Sequence, residues 1–168
     1  QEPGGPPLSA EDRVAVVTGA ARGIGRRVAL TLAELGYTIA ANDLEAPEGT
    51  LGELRKMGAG ALPIPGDVSD EGAVRGMVRG VMDAFGRVDV LVNNAGISLL
   101  KPAEETTAEE WRRVVEVNLT GPFLACREFG GIMLRRGSGS IVNVASVAGL
   151  LGIADRAAYN ASKHGLVG

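Results

Sequence analysis

Short apolar runs alternate with longer amphipathic stretches along most of the chain. Apolar runs bounded by turn residues predict five strands, at 14–18, 37–42, 61–66, 88–92 and 140–145. The stretches between them carry helical spacing, most clearly at 74–85, where apolar residues recur three, four, seven, eight and eleven positions after the first. Strands that alternate with helices predict an α/β fold in three layers, a doubly wound parallel sheet of the Rossmann type.

Three details refine this prediction. The run at 61–66 contains prolines, so we expect an edge strand, where a missing backbone donor is tolerated. Thr106 or Thr107 precedes a helix at capping-box spacing from a glutamate, and Gly121-Pro122 predicts a kink further along that helix. Arg112 and Arg113 are expected to be solvated charges of the same helix. A last helix is predicted from Arg156 onward.

Composition and charge narrow the function classes. The 168 residues are 45% hydrophobic and 22% charged, which suits one globular domain, and the net charge of −3 without a basic cluster argues against nucleic acid as a partner. No apolar stretch reaches the roughly 18 residues of a membrane span. The single cysteine, Cys126, suits a reducing cytoplasm. We expect a disordered leader at 1–12 and one domain at 13–168, with no metal site.

A glycine-rich turn follows the first predicted strand. Gly19, Gly23 and Gly25 surround Arg22 and Ile24, and the predicted helix begins directly after them. A strand, a tight glycine turn and a helix N-terminus together bind a pyrophosphate, because glycine lets the backbone approach and the helix N-terminus favours negative charge. The turn therefore predicts a dinucleotide site.

Two acidic residues follow the next strands. Asp43 ends the second strand, where a carboxylate accepts from ribose hydroxyls and repels a 2′-phosphate, so we expect NAD over NADP. Arg22 points the other way, since its guanidinium could pair with that phosphate. Asp67 follows the third strand and is expected at the adenine edge; the alternative is a helix cap shared with Ser69 and Asp70.

Tyr159 and Lys163 carry the candidate chemistry. Four residues along a helix bring their side chains within about 40° of each other, and an ammonium at that distance favours the phenolate form of a tyrosine. Tyr159 is therefore a candidate general acid/base, and Ser146 supplies a hydroxyl thirteen residues upstream.

These motifs together resemble the short-chain dehydrogenase/reductase family, including its branch of 3-oxoacyl-thioester reductases. The matching segments occur in order: TGAARGIG at 18–25, DVSD at 67–70, NNAG at 93–96, NLTG around Asn118, then Ser146 and the Tyr159–Lys163 pair. The resemblance spans 13–168. Members of that family continue past this last helix, so we expect the chain to be part of a longer enzyme whose domain is truncated here.

The resemblance implies roles for individual residues. Tyr159 would exchange the proton with the substrate oxygen, Ser146 would orient that oxygen, Lys163 would act on Tyr159 and bind the nicotinamide ribose, and Asn118 would hold a relay water. It further implies cofactor contacts from Gly19, Arg22, Gly23, Ile24, Gly25, Asp43, Asp67, Val68, Asn94, Ala95, Gly96, Tyr159 and Lys163.

The expected activity is an oxidoreductase that interconverts a secondary alcohol and a ketone with NAD. Two alternatives stay open: an NADPH-dependent reductase of 3-oxoacyl thioesters, and a protein that binds nucleotide without catalysis. The resemblance also implies a homo-oligomer, a dimer or tetramer formed through the helix that includes Trp111 and the helix that begins at Arg156.

Overall fold

Five parallel strands form one sheet in the order β3-β2-β1-β4-β5 in the computed structural model, which describes residues 13–168. The expected leader at 1–12 lies outside the described residues. The strands are β1 (Val14–Val17), β2 (Thr38–Ala41), β3 (Ala61–Pro63), β4 (Val90–Asn93) and β5 (Ser140–Asn143). The order reverses direction between β1 and β4, which creates a crevice at the carboxyl ends of these two strands.

Among the described residues, six α-helices lie between and after the strands. They are α1 (Gly23–Glu34), α2 (Glu48–Lys56), α3 (Glu71–Phe85), α4 (Ala108–Val115), α5 (Gly121–Arg136) and α6 (Ala157–Val167). Short 3₁₀ turns occur at Ala103–Glu105 and Val147–Gly149, and a π-helical turn at Glu116–Thr120 joins α4 to α5. Every helix within 13–168 is too short or too polar to span a bilayer.

The sheet carries a core on each face. Alternate residues of a strand point to opposite faces, and β1 shows this: Val14 and Val16 join one core, Ala15 and Val17 the other. The first core includes Phe129 and residues of α3, whereas the second includes residues of α1 and α2. This arrangement confirms the predicted three-layer fold.

Helix α3 illustrates how the sequence directs the packing. Four of the apolar residues predicted to share one face are buried, with Val81 fully inaccessible to solvent and Phe85 only 5% exposed, and Val78 and Met82 are partly buried against the same core. Asp70 caps the start of the helix by accepting from the backbone N–H of Ala73. Gly86 ends it in a left-handed conformation, φ +66°.

The edges of the described sheet are β3 and β5, and the sequence predicted the first of them. β3 ends with Pro63 and pairs only with β2 among the described strands, as expected for a strand that contains proline. All four residues of β5 are exposed to solvent. β5 therefore presents an unpaired edge in the described part of the chain.

The helix interruption differs in detail from the prediction. The sequence suggests a kink at Gly121-Pro122, and the structure has the π-helical turn Glu116–Thr120 immediately before that pair. The N–H of Gly121 bonds to the carbonyl of Glu116, five residues back, so the helix holds one extra residue in this turn. Thr107, rather than Thr106, caps α4, in a complete capping box with Glu110.

Candidate active site

The glycine-rich loop joins β1 to α1 with two residues in left-handed conformations. Gly19 has φ +65° and Gly23 has φ +56°, which residues with a Cβ seldom adopt. A Cβ on Gly25 would lie 2.8 Å from the carbonyl carbon of Gly19, so α1 begins directly against the loop. Arg22 precedes α1, and its side chain makes no capping hydrogen bond. The first N–H groups of α1 therefore remain available for an anionic ligand.

The segment after β4 is hydrogen-bonded to the start of this loop. Asn94 donates from its side-chain amide to the carbonyls of Thr18 (2.9 Å) and Gly19 (3.1 Å). The backbone N–H groups of Asn94 and Ala95 both donate to the hydroxyl of Thr18, each at 3.0 Å. The ends of β1 and β4 are thus joined by side chains at the point where the strand order reverses.

Asp43 lies beside the same loop at the end of β2. One carboxylate oxygen accepts from the backbone N–H of Ala21 (3.0 Å), and the other accepts from that of Leu44 (2.9 Å). Asp43 therefore helps to hold the glycine-rich loop. Arg22 and Ile24 are exposed nearby, and all three residues line one cleft.

Asp67 follows β3 and is enclosed by donors. Its Oδ1 accepts from the backbone N–H (2.9 Å) and the hydroxyl (2.6 Å) of Ser69, and its Oδ2 pairs with the guanidinium of Arg113 at 2.8 Å. Partial burial alone would raise the pKa of Asp67, but these hydrogen bonds outweigh it and hold the pKa below its ordinary value. The helix cap belongs to Asp70 and not to Asp67.

A cleft of about 350 Å³ runs across the carboxyl ends of the strands. It is lined by most of the predicted cofactor residues together with six that were not predicted as such: Asn42, Leu44, Gly66, Ile97, Arg113 and Val117. Its lining includes Gly19, Arg22, Ile24, Asp43, Asp67, Val68, Asn94, Ala95 and Gly96. Ser146, Tyr159 and Lys163 are not among the residues that line it. The cleft thus corresponds to the predicted nucleotide end of the site.

Asn118 lies fully buried within the π-helical turn. Its side-chain amide donates to the carbonyl of Ile97 (2.8 Å) and to the hydroxyl of Ser162 (3.1 Å), and its oxygen accepts from the N–H of Ile97 (2.8 Å). Ser162 lies on α6 between Tyr159 and Lys163, and its hydroxyl donates to the carbonyl of Tyr159 (2.8 Å). Asn118 is therefore linked directly to the helix that carries the candidate acid/base.

Lys163 is held at the carboxyl end of β5. Only 5% of the residue is exposed, and its ammonium donates to the carbonyl of Val144 at 2.7 Å. The same nitrogen lies 5.8 Å from the centre of the Tyr159 ring. Burial lowers the pKa of Lys163 below its ordinary value.

Ser146 precedes a short turn that packs against α6. Its hydroxyl accepts from the N–H of Ala148 (3.1 Å) and so caps the 3₁₀ turn Val147–Gly149. A Cβ on Gly149 would lie 2.7 Å from the carbonyl oxygen of Lys163, so the turn packs directly on α6. The predicted catalytic residues are brought to the same end of the sheet by three separate elements.

Comparison with known proteins identifies the family. The family model described as short chain dehydrogenase matches residues 13–168. The chain belongs to the short-chain dehydrogenase family. A crystal structure of a metagenomic short-chain oxidoreductase in complex with NADP has a TM-score of 0.89 and 38% identity, over 95% of this chain and 73% of that one.

Two curated members of the family are similar in sequence. D-threitol dehydrogenase of Mycolicibacterium smegmatis is 42% identical over 161 residues, which cover 94% of this chain and 62% of that protein. A 3-oxoacyl-(acyl-carrier-protein) reductase of Staphylococcus aureus is 41% identical over 157 residues, 92% of this chain and 64% of that protein. The chain thus spans less than two thirds of the length of these relatives.

Several residues of the site were not predicted from the sequence. Thr18 and Ser162 lie within the quoted motifs, so their position next to predicted residues was the available signal. Arg113 was expected to be solvated, but it bonds to Asp67 and Ser69 across the cleft. No local pattern distinguishes Arg113 from Arg112, because the loop it contacts lies about forty residues earlier in the chain.

Proposed function

We propose that this protein interconverts a secondary alcohol and a ketone, with NAD as its hydride carrier and Tyr159 as its general acid/base. The observation that carries the proposal is the position of Lys163, buried on α6 with its ammonium bonded to the carbonyl of Val144 and 5.8 Å from the centre of the Tyr159 ring. A cation in this position stabilises negative charge on the phenol oxygen as the proton leaves.

The residues fit a bound dinucleotide. The start of α1 has no side-chain cap, and Gly19 and Gly25 let the loop pack against Ala95 and Asn94, which a Cβ at either position would prevent. Main-chain N–H groups there would hold the pyrophosphate. When bound, the nicotinamide supplies a hydride for ketone reduction or accepts one in alcohol oxidation.

The chain's own residues would handle the proton. In the reducing direction the Tyr159 hydroxyl gives its proton to the carbonyl oxygen as that oxygen gains electrons, and in the oxidising direction the phenolate takes the proton from the alcohol. Ser146 would donate a hydrogen bond to the same oxygen. Lys163 would stabilise the Tyr159 phenolate and bind ribose hydroxyls, and Asn118 would connect α6 to the rest of the proton path.

The choice of NAD over NADP is argued from charge. Asp43, Glu45 and Glu48 line a second depression beside the glycine-rich loop, where a 2′-phosphate would meet their negative charges. Arg22 offers a compensating cation at the first cleft, and one related structure holds NADP. Comparing kcat/KM for NADH and NADPH tests this choice, and a preference for NADPH would refute it.

Reduction of 3-oxoacyl thioesters is the second candidate. Two observations favour it: a relative with 41% identity has that activity in its name, and the segment after Ser146 exposes Val147 (64%), Leu150 (70%) and Leu151 (63%). Such apolar side chains would suit an acyl chain. Turnover of a 3-oxoacyl thioester at rates far above those of simple ketones would favour this candidate.

Replacing the phenol hydroxyl tests the acid/base role. We expect Tyr159→Phe to lower kcat by about 10²–10⁴-fold, since positioned proton transfer contributes on that order, while the Kd for NADH changes only a few-fold. Tyr37→Phe is the matched control, because Tyr37 is the other tyrosine of the chain and contacts Arg13 next to β2, away from α6.

The result separates the hypotheses. If Tyr159→Phe keeps its activity, another group moves the proton. If a fluorescence titration shows that the wild-type protein binds NADH but it transfers no hydride to any ketone or acyl thioester in a panel, it is a nucleotide-binding protein without catalysis. A homo-oligomer also stays a prediction, and α5 offers exposed Phe123 and Leu134 for it.

A further inference from the structure

Arg113 joins helix α4 to a loop that lies far from it in the sequence. Its guanidinium donates to the hydroxyl of Ser69 at 2.8 Å and pairs with Oδ2 of Asp67 at 2.8 Å. Ser69 in turn donates twice to Oδ1 of Asp67, so the three side chains form a closed ring of hydrogen bonds. Both carboxylate oxygens of Asp67 therefore have hydrogen-bond partners, which fix the orientation of the side chain.

The same loop is anchored on the other side of the π-helical turn. Arg113 lies in α4 before the turn, and Gly121 begins α5 after it. A Cβ on Gly121 would lie 3.0 Å from Cγ2 of Val68 and 3.2 Å from its carbonyl oxygen, so Val68 packs against the helix backbone. The segment from Asp67 to Ser69 is thus held at two points on the helix that contains Asn118.

Asp67 keeps capacity for one more donor. Each carboxylate oxygen has about two acceptor positions, and Oδ1 uses both of its positions on Ser69. Oδ2 uses one position on Arg113, and the side chain remains 31% exposed in the wall of the cleft. The second position of Oδ2 is therefore available to a ligand in the cleft.

We propose that Arg113 is a positioning residue for the adenine end of the cofactor, because it aims Oδ2 of Asp67 at the exocyclic amino group of adenine. The proposal rests on the dinucleotide site of the proposed function. The adenine amino group is a hydrogen-bond donor, which matches the free acceptor position of the carboxylate. The lowered pKa of Asp67 is consistent with a carboxylate that stays ionised as an acceptor.

Two arginines of one helix provide the test and its control. Arg113→Met keeps the length of the side chain but removes the charge and the hydrogen bonds. Arg112→Met makes the same change one residue earlier, where the guanidinium is exposed and only reaches Glu109 at 3.4 Å. Dissociation constants are measured by nicotinamide fluorescence for NADH and for its deaminated analogue, reduced nicotinamide hypoxanthine dinucleotide, which replaces the amino group with a carbonyl.

The expected pattern is a loss of discrimination. Wild type and Arg112→Met bind NADH about 10-fold more tightly than the deaminated analogue, whereas Arg113→Met binds NADH about 10-fold less tightly and distinguishes the two ligands by less than about 3-fold. In an Asp67→Asn background, Arg113→Met changes the NADH affinity by less than about 2-fold, because the two residues act through one contact. Arg113→Lys keeps a cation and restores part of the discrimination.

Each remaining outcome has a defined reading. The inference is wrong if Arg113→Met keeps the wild-type discrimination, or if the wild type binds both ligands equally well. If the wild type binds neither NADH nor NADPH, the proposed function fails instead. If Arg113→Met does not fold, Arg113→Lys is used in its place. The proposal is then wrong if Arg113→Lys, Arg112→Met and Asp67→Asn all distinguish NADH from its deaminated analogue equally well.

Discussion

Replacing Gly25 with alanine tests whether the glycine-rich loop is held by direct backbone packing. A Cβ at this position would lie 2.8 Å from the carbonyl carbon of Gly19 and nearer still to the Gly19 oxygen and Asn94 Nδ2. Real Cβ contacts essentially never fall below 3.0 Å. Asn94 cannot simply turn away, because its amide donates to the carbonyls of both Thr18 and Gly19.

The magnitude follows from two opposing effects. Overpacking a well-filled site costs about 1–3 kcal/mol, while alanine in place of glycine in a helix gains about 0.5–1 kcal/mol. We therefore expect Gly25→Ala to lower the free energy of unfolding by about 1–2 kcal/mol. At about 2–4 °C per kcal/mol for a chain of this size, Tm falls by about 2–8 °C. NADH affinity falls as well, because the loop must move.

A second glycine provides a control of opposite sign. Gly52 lies within α2, and a Cβ there would meet no atom within 4 Å. Gly52→Ala should therefore raise the free energy of unfolding by about 0.5–1 kcal/mol and leave NADH affinity unchanged. Urea unfolding and NADH fluorescence titration measure both quantities. If Gly25→Ala is as stable as Gly52→Ala and binds NADH equally well, the packing argument is refuted.

Two further predictions concern pH. Burial tends to raise the pKa of Asp89, but bonds from Arg87, the Val14 N–H and Arg136 lower it to about 2, so about 2 kcal/mol of stability, present above pH 4, should be lost as the pH falls from 4 to 2. Asp89→Asn should lose much less over that range in urea unfolding, and parallel losses would contradict this. Burial lowers the pKa of Lys163, so the unfolded chain binds the proton more tightly and stability should rise with pH towards 10.5. Lys163→Met should lack this rise, and an equal rise in both proteins would disprove it.

The repeating patterns of the sequence predicted the fold because they reflect which side of each element is buried. The stripe on α3 and the alternation of apolar runs required no knowledge of distant contacts. Strand ends were less accurate: the fourth strand was predicted from Val88 and begins at Val90, because apolar character continues beyond the paired residues. Asp89 lies at this boundary, where its carboxylate accepts a hydrogen bond from the backbone N–H of Val14.

The candidate site was predicted where motifs are local and missed where contacts are distant. Gly19, Asp43 and Lys163 stand at strand ends or on a helix whose place the topology determines. Arg113 was misjudged because its partner loop is far away in sequence, and helical charge patterns do not reveal which arginine faces it. Lys163 and Tyr159 do not line the nucleotide cleft. Their position relative to it depends on packing between distant elements, which local sequence patterns do not reveal.

The π-helical turn sets the rotational phase between α4 and α5. One extra residue rotates all preceding side chains by about 100° relative to those that follow, because an α-helix turns by that angle per residue. Shortening the turn by one residue would therefore rotate either Arg113 or Gly121 away from the segment from Asp67 to Ser69. Insertions and deletions should be tolerated far less between these two anchors than in the surface turns at either end of the helix pair.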